Sequence, residues 1–593
     1  MDQRERYRLL YCRSKRTYLP NEQTSFLFIG NLDLLTPNAK TTGVITKPQS
    51  PTEPSAPGPV TVTPAGAVRG SWMDSRLGRR FQAYRGIRYA QPPVGELRFQ
   101  PPVDMEEYSS EVDASEEGPG CPQPERPGKY PMDEDCLRLN VYTPDNNSSR
   151  KLPVVVFIHP GGFYSFAGRS DLFGPHYLLD RDLVLVTLNY RLASLGFLAT
   201  GDAVAPGNNG YKDQVSALRW VQRNIAAFGG DPNKVTISGC SAGSRSVILH
   251  MISPMSKGLF HQGIAMSGSP VGKVAVPTQQ FELAQKQAAL LNCPTNTSRA
   301  IVDCLKTKTW QEIGNSLNGF WSGSSDAVSF WTAIVEPDVG QPRFLPVQPD
   351  EAVRQGQFQA VPLLISQTEG EFFWKAFAVT QNQTRRDLMN SEWETIAPES
   401  FSLPEENSAA ASHRLRQAYL DDKPIEDTPE SSEALGKLYG DSWIGLNVHR
   451  MANLLCRHSS QPVWYSAFSY VGNNSFYQDP TTHKPRGAAH HDDTIYVFSQ
   501  SYLRPPIQAR SPPPPAPQDH LMVERMTAIW YTFAKYGDPN PREGELPELS
   551  SLHWPAMKPE DRKYLKVDRQ FSVHEKLHED RLQVWDEIYP MQY

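Results

Sequence analysis

The pentapeptide Gly239-Cys240-Ser241-Ala242-Gly243 follows a short β-branched run, Lys234-Val235-Thr236-Ile237-Ser238, and precedes a helical pattern from Ser244 to Met251. A serine at a sharp strand-to-helix turn can act as a nucleophile. The flanking glycines allow backbone contacts that any side chain would block, and the helix N-terminus favours negative charge beside the hydroxyl. Without its flanking elements, the same turn reads as a phosphate cradle or a merely tight turn. Acyl transfer through such a serine also needs donors for a tetrahedral oxyanion. A second apolar run, Pro153 to Ile158, ends in His159-Pro160-Gly161-Gly162-Phe163. The N–H groups of Gly161, Gly162 and Ala242 then make a candidate three-donor pocket. Pro160 lacks an N–H and cannot donate. Alone this is an ordinary Pro-Gly-Gly turn; beside a nucleophile turn it reads as an oxyanion site. The run His490-His491-Asp492-Asp493 could suggest a metal centre. Neither order nor spacing elsewhere supplies further ligands, so no metal and no cofactor is expected.

These residues need a scaffold, and the chain offers one. Pro153–Ile158, Leu183–Leu188, Lys234–Ser238 and Pro362–Ser366 are short, apolar and β-branched, as buried strands of a parallel sheet should be. Between the second and third, Val215, Leu218, Trp220, Val221, Ile225 and Ala226 recur at helical spacing over Asp213–Phe228, after a turn at Gly207-Asn208-Asn209-Gly210. Strand, helix, strand at this scale means βαβ units and an α/β fold. The apolar stretch Leu183–Leu198 is broken by Asn189 and Arg191, so it reads as a buried strand and turn, and no window is long enough for a spanning helix.

Composition narrows the functional classes. The 593 residues carry a net charge of −6, with 39% hydrophobic and 21% charged residues, which gives no basic footprint for nucleic acid. The 52 prolines are scattered, except for Ser511–Pro517, which reads as a surface loop. Residues 1–56 read as an N-terminal extension and linker, and residues 57–593 as the folded unit. Met1–Arg16 is charged and lacks the apolar core of a secretory signal, which on its own points to the cytoplasm. The cysteines point the other way. Cys121 with Cys136, and Cys293 with Cys304, are short-range pairs with turn chemistry between them and read as two disulfides, whereas Cys12, Cys240 and Cys456 stand apart. N-glycosylation acceptor patterns occur at Asn146, Asn147, Asn296, Asn382 and Asn473. Together these favour a secreted or secretory-pathway glycoprotein.

From about Pro59 to Tyr589 the chain resembles the type-B carboxylesterases of the carboxylesterase and cholinesterase family, and within it the insect esterases. The resemblance is carried by Tyr84-Arg85-Gly86-Ile87-Arg88-Tyr89-Ala90-Gln91-Pro92-Pro93, Glu134-Asp135-Cys136-Leu137-Arg138-Leu139-Asn140-Val141, Asn189-Tyr190-Arg191, Phe228-Gly229-Gly230-Asp231-Pro232 and Phe533-Ala534-Lys535-Tyr536-Gly537-Asp538-Pro539-Asn540. It implies an α/β-hydrolase fold, with a mostly parallel central sheet flanked by helices. It also implies hydrolysis of carboxylic esters through an acyl-Ser241 intermediate.

The family's histidine precedes an acidic, aromatic segment, which places His490 in the catalytic register and His491 where glycine is common. The family's acid is a glutamate followed by glycine after a strand. Glu369-Gly370 fits, with Glu371 as the rival. The resemblance thus implies a triad of Ser241, Glu369 and His490. Two departures bear on substrate. Cys240 stands where relatives often carry glutamate or glutamine, and the Cys121–Cys136 loop holds Tyr130 but no tryptophan, so the cation–π anchor of cholinesterases is missing. Two other readings remain beside the esterase: an adhesion or binding protein of the same fold with weak or no turnover, and a sequestering esterase that acylates once. The sequence sets neither the particular ester nor an oligomeric state.

Overall fold

A computed structural model describes residues 58–125, 129–320, 330–500 and 517–593. The expected extension at residues 1–56 and nearly all of the proline tract lie outside these. Three short strands, β1 (Val60–Thr63), β2 (Gly66–Arg69) and β5 (Val112–Asp113), form a small sheet. The other eleven are β3 (Ser71–Asp74), β4 (Arg80–Arg88), β6 (Arg138–Thr143), β7 (Leu152–Ile158), β8 (Val184–Leu188), β9 (Gly230–Cys240), β10 (Gln262–Met266), β11 (Leu363–Thr368), β12 (Val463–Phe468), β13 (Lys563–Val567) and β14 (Ser572–Glu575). They form one sheet in the order β14-β13-β12-β11-β10-β9-β7-β8-β6-β4-β3. The run from β8 to β13 is parallel throughout, and the antiparallel pairs lie at the two ends. The fold is the expected α/β-hydrolase, with a mixed sheet whose middle is parallel.

Burial explains why the central strands read as unbroken apolar runs. All seven residues of β7 are buried, because helices cover both faces of the sheet. The helix expected from Asp213 begins at Asn209, runs to Asn224 and continues as a 3₁₀ turn over Ile225–Phe228. It carries a fully buried ion pair. Asp213 takes the Arg191 guanidinium at 2.8 and 2.6 Å and the Arg191 N–H at 3.0 Å, fixing the turn after β8. The polar break in the apolar Leu183–Leu198 stretch is therefore an anchor.

The site is positioned by one feature of the topology. The chain passes from β7 to β8 on one side and then returns to place β9 on the other side of β7. The carboxyl ends of β7 and β9 thus lie side by side where the strand order reverses, which is where open α/β sheets form binding crevices.

Candidate active site

Ser241 leaves β9 with φ 56° and ψ −114°, and helix Ala242–Ile252 starts at the next residue. A non-glycine residue at this backbone geometry is strained and persists only where its surroundings over-determine it. Here they do. Its N–H donates to the Met266 carbonyl at the end of β10 (2.8 Å), and its own carbonyl accepts the Arg245 N–H (3.0 Å). The two glycines are sterically required: a Cβ on Gly243 would lie 2.0 Å from the Ile158 carbonyl oxygen, and one on Gly239 would lie 2.4 Å from Gly243. Gly268, which sequence reasoning passed over, is a third, since its Cβ would meet the Ser241 carbonyl at 2.3 Å. Ala242 is the first residue of the helix, so its N–H has no intrahelical acceptor.

That close approach brings the end of β7 against the serine turn. Gly161 and Gly162 follow it with φ of 116° and 58°, values that favour glycine. The Gly161 carbonyl accepts the N–H groups of Tyr164 and Ser165, which closes the loop tightly. Pro160 contributes a carbonyl that accepts from His159 Nδ1 at 2.7 Å. Burial pushes His159 down to about 4, so its stacked ring stays neutral beneath the loop.

His490 sits on a loop held to the sheet from two sides. Gly370 N–H donates to the Ala488 carbonyl, and Asp492 accepts the N–H groups of Ala489 and Phe476 at 2.8 and 2.7 Å. The acidic residue beside the histidines thus holds the loop, and His490 Nδ1 is committed to a carboxylate. Among the described residues no group of three or more His, Cys, Asp or Glu could hold a metal ion.

The carboxylate at His490 is Glu371, and the expected pairing with Glu369 is corrected. Glu371 Oε2 bonds His490 Nδ1, while its Oε1 accepts the Thr368 N–H at 2.9 Å. Glu369 points to the other side of Gly370, where it meets His578 Nε2 at 3.3 Å and the Ser469 hydroxyl at 3.4 Å. The physical reason is that β11 extends to Thr368, two residues beyond the apolar run, and the acid must fold back onto the strand's last N–H. The glycine after Glu369 was the misleading signal. Counting from the end of the strand would have favoured Glu371.

Ser241, Glu371 and His490 are linked through their neighbours. Met266 holds the Ser241 N–H, and Ser267, the next residue, lies against Glu371 together with Thr368. Neither hydroxyl makes a full hydrogen bond there, but both favour the ionised carboxylate. Burial is the larger effect and raises Glu371 above the usual carboxylate range, with the Asp441 charge adding to it. Burial also drives His490 down, so its imidazole is held neutral. Asp493 is likewise raised by burial and by the Glu371 charge.

Other expected residues fall as follows. Cys240 is free and fully buried, and burial with the Asp493 and Glu371 charges keeps it a thiol. Cys121–Cys136 and Cys293–Cys304 are disulfides. Tyr130 is buried under the Arg169 guanidinium, 5.4 Å from its ring centre, so its face is already occupied by a cation. Asn147, Asn296, Asn382 and Asn473 are exposed, whereas the Asn146 amide donates to Thr61 at 3.0 Å. Around His490 stand His491, 4.0 Å away between ring centres, and rings that sequence reasoning did not single out: Phe372 at 5.2 Å and Trp374 at 6.4 Å, with Tyr477 stacked on Trp374. Their aromatic spacing after Glu371 was readable, but their convergence was not.

Comparison with known proteins gives a consistent picture. The carboxylesterase family profile matches residues 57–585. The chain is 34% identical over 528 residues to juvenile hormone esterase of Tribolium castaneum, covering 86% of this chain and 87% of that protein. It is 36% identical to esterase FE4 of Myzus persicae, covering 81% and 85%. The crystal structure of juvenile hormone esterase from Manduca sexta with OTFP covalently attached superposes with a TM-score of 0.76 at 27% identity, over 90% of this chain and 99% of that one.

Proposed function

This chain belongs to the carboxylesterase family, and on that premise we propose that Ser241, His490 and Glu371 are the working triad of a carboxylic ester hydrolase. The observation that carries the assignment of the acid is the bond from Glu371 to His490 Nδ1. His490 takes the Ser241 proton as the hydroxyl attacks the ester carbonyl, then returns it to the departing alcohol. Water, activated by the same imidazole, releases the acid and restores the serine. Glu371 fixes the imidazole tautomer and stabilises the imidazolium. Gly161, Gly162 and Ala242 donate to the oxyanion. The chain order Ser, Glu, His is that of α/β-hydrolases.

The substrate class follows from what surrounds the triad. Neutral Cys240 puts no charge beside the nucleophile, and aromatic rings flank His490, so we assign uncharged esters with apolar acyl or alcohol groups. The two disulfides and four exposed acceptor asparagines support passage through an oxidising secretory compartment. No helix of the described residues is long and apolar enough to cross a membrane. The family match starting at residue 57 supports the reading of residues 1–56 as an extension.

The test is intact mass after exposure to a fluorophosphonate, for the wild type and Ser241→Ala, with hydrolysis of a short-chain aryl ester in parallel. One adduct on the wild type alone, with turnover, is the expected result. An adduct without turnover would instead mean a sequestering protein, and folded protein with neither would mean a binding role.

A further inference from the structure

Beside Glu371 lies a small polar pocket that is open to solvent. Gln367, Thr368, Glu369, Glu371, Asp441 and Arg581 line it, and its innermost part has room for about one water. Three glycines, Gly436, Gly440 and Gly445, supply the facing wall. They leave the space open: a Cβ on Gly440 would come 3.1 Å from Glu371 Cβ, and one on Gly445 would come 2.6 Å from Asp441 Oδ1 and 3.6 Å from Gln367 Oε1. Gly445 closes a π-helical turn, Asp441–Gly445, a distortion that is frequent at functional sites.

Two lining atoms have no hydrogen-bond partner although their residues are only 2% exposed: Gln367 Oε1 and Thr368 Oγ1. Leaving such groups unpaired in a buried site is costly. One water held between them would satisfy both at once, donating to Gln367 Oε1 and accepting from the Thr368 hydroxyl. Its second proton is then available to the Glu371 carboxylate, whose two oxygens each carry only one bond, to Thr368 N–H and His490 Nδ1.

We propose that this cavity is a hydration site for the triad acid, in which one ordered water held by Gln367 and Thr368 supports the ionised Glu371. The proposal rests on Glu371 being that acid. The charged and titratable groups facing Glu371 come from every surrounding element. They are His490 and Asp493 from the histidine loop, Asp441 from the π turn, Cys240 from β9 and Tyr477 from the preceding loop, while Lys437 from helix Pro429–Gly440 lines the cavity and pairs with Glu433 at 2.7 Å. Asp441 is partnered by Arg581, from Nε to Oδ2 at 2.5 Å, and Glu369 lies against His578. Arg581 thus stands beside Asp441 and, with Lys566, favours the ionised Glu369, whereas the direct bonds to Glu371 come from the Thr368 N–H and the neutral His490. Gln367 and Thr368 are positioning residues, acting on the reaction only through that carboxylate.

The experiment is a crystal structure of the full chain at a resolution that orders solvent, with pH profiles of kcat/KM for the wild type, Gln367→Met, Thr368→Val and Thr368→Ser. The expected density is one solvent peak within hydrogen-bond distance of Gln367 Oε1 and Thr368 Oγ1, lost in Gln367→Met. Losing the donor to an ionised carboxylate raises the pH needed to ionise it. Gln367→Met and Thr368→Val should therefore move the acid limb upward by about half to one unit, a loss of about 3- to 10-fold below the midpoint. Thr368→Ser should restore the wild-type limb. A dry cavity in the wild type, a metal ion in the peak, coincident profiles, or a loss equal at every pH would each overturn the proposal. If the wild type shows the water but neither labels nor turns over, the esterase reading fails and the hydration site stands.

Discussion

Glu369 and Glu371 are two residues apart, yet they belong to different electrostatic environments. Glu369 is half-exposed at the cavity mouth. Against the upward pull of burial, His578, Arg581 and Lys566 hold it down at about 2. Glu371 is buried against His490, and burial holds it high. Glu371→Gln is expected to lower kcat by about 10³–10⁴-fold, since it leaves the imidazole unsupported in its working tautomer. Glu369→Gln removes a peripheral ion pair and should stay within about threefold. Stopped assays on the two purified variants decide this, and a reversed result would restore Glu369 as the acid.

The same residues set a pH dependence. A buried imidazole is already neutral well below its ordinary value, so His490 as a base does not limit activity under mild acid. Glu371 must be ionised to support the imidazolium, and its carboxyl is raised. Activity is therefore present above the raised value and lost as pH falls through it. The acid limb of kcat/KM is expected above the ordinary carboxylate range of about 4 to 5, and it belongs to the Glu371–His490 pair as a unit. A limb within that range would place Glu371 outside the titrating pair.

Among the elements, β7, β9 and helix Ala242–Ile252 carry the site because their backbones touch. Gly243 stands at that contact, 2.0 Å from carbonyl oxygen to any added Cβ, and backbone on both sides cannot give way as a flexible side chain would. Gly243→Ala is expected to destabilise the protein by about 3 kcal/mol or more and to abolish fluorophosphonate labelling in whatever remains folded. Urea melts with labelling at matched folded fraction measure both. Gly258→Ala is the control: its Cβ meets nothing within 4 Å, so only the cost of its left-handed backbone at φ +78° remains.

At the scale of the whole molecule, the two disulfides join cysteines 15 and 11 residues apart in sequence. Restricting the unfolded chain in this way contributes about 2–4 kcal/mol per bridge. Reduction should lower Tm in calorimetry by several degrees, and the Cys293→Ser/Cys304→Ser double variant should reproduce part of that loss without altering Ser241 labelling. An unchanged Tm would mean that the core alone sets stability.

The sequence by itself determined the central parallel strands, the helix from about Asp213, both disulfides, the serine turn and the family. Each of these is encoded locally: unbroken apolar runs for doubly covered strands, 3.6-residue spacing for the helix, short cysteine separations, and glycines where backbones meet. Boundaries shifted by a few residues because β11 extends past its apolar run into Gln367 and Thr368, which no hydrophobic pattern marks. That small extension is also what sets Glu371 rather than Glu369 against His490. Which of two glutamates faces a histidine more than a hundred residues away is decided by where the strand ends and which side of the turn each carboxylate leaves. The aromatic ring set around His490 and the polar cavity beside Glu371 were likewise decided only by tertiary structure, since each draws its walls from segments that share no local signal.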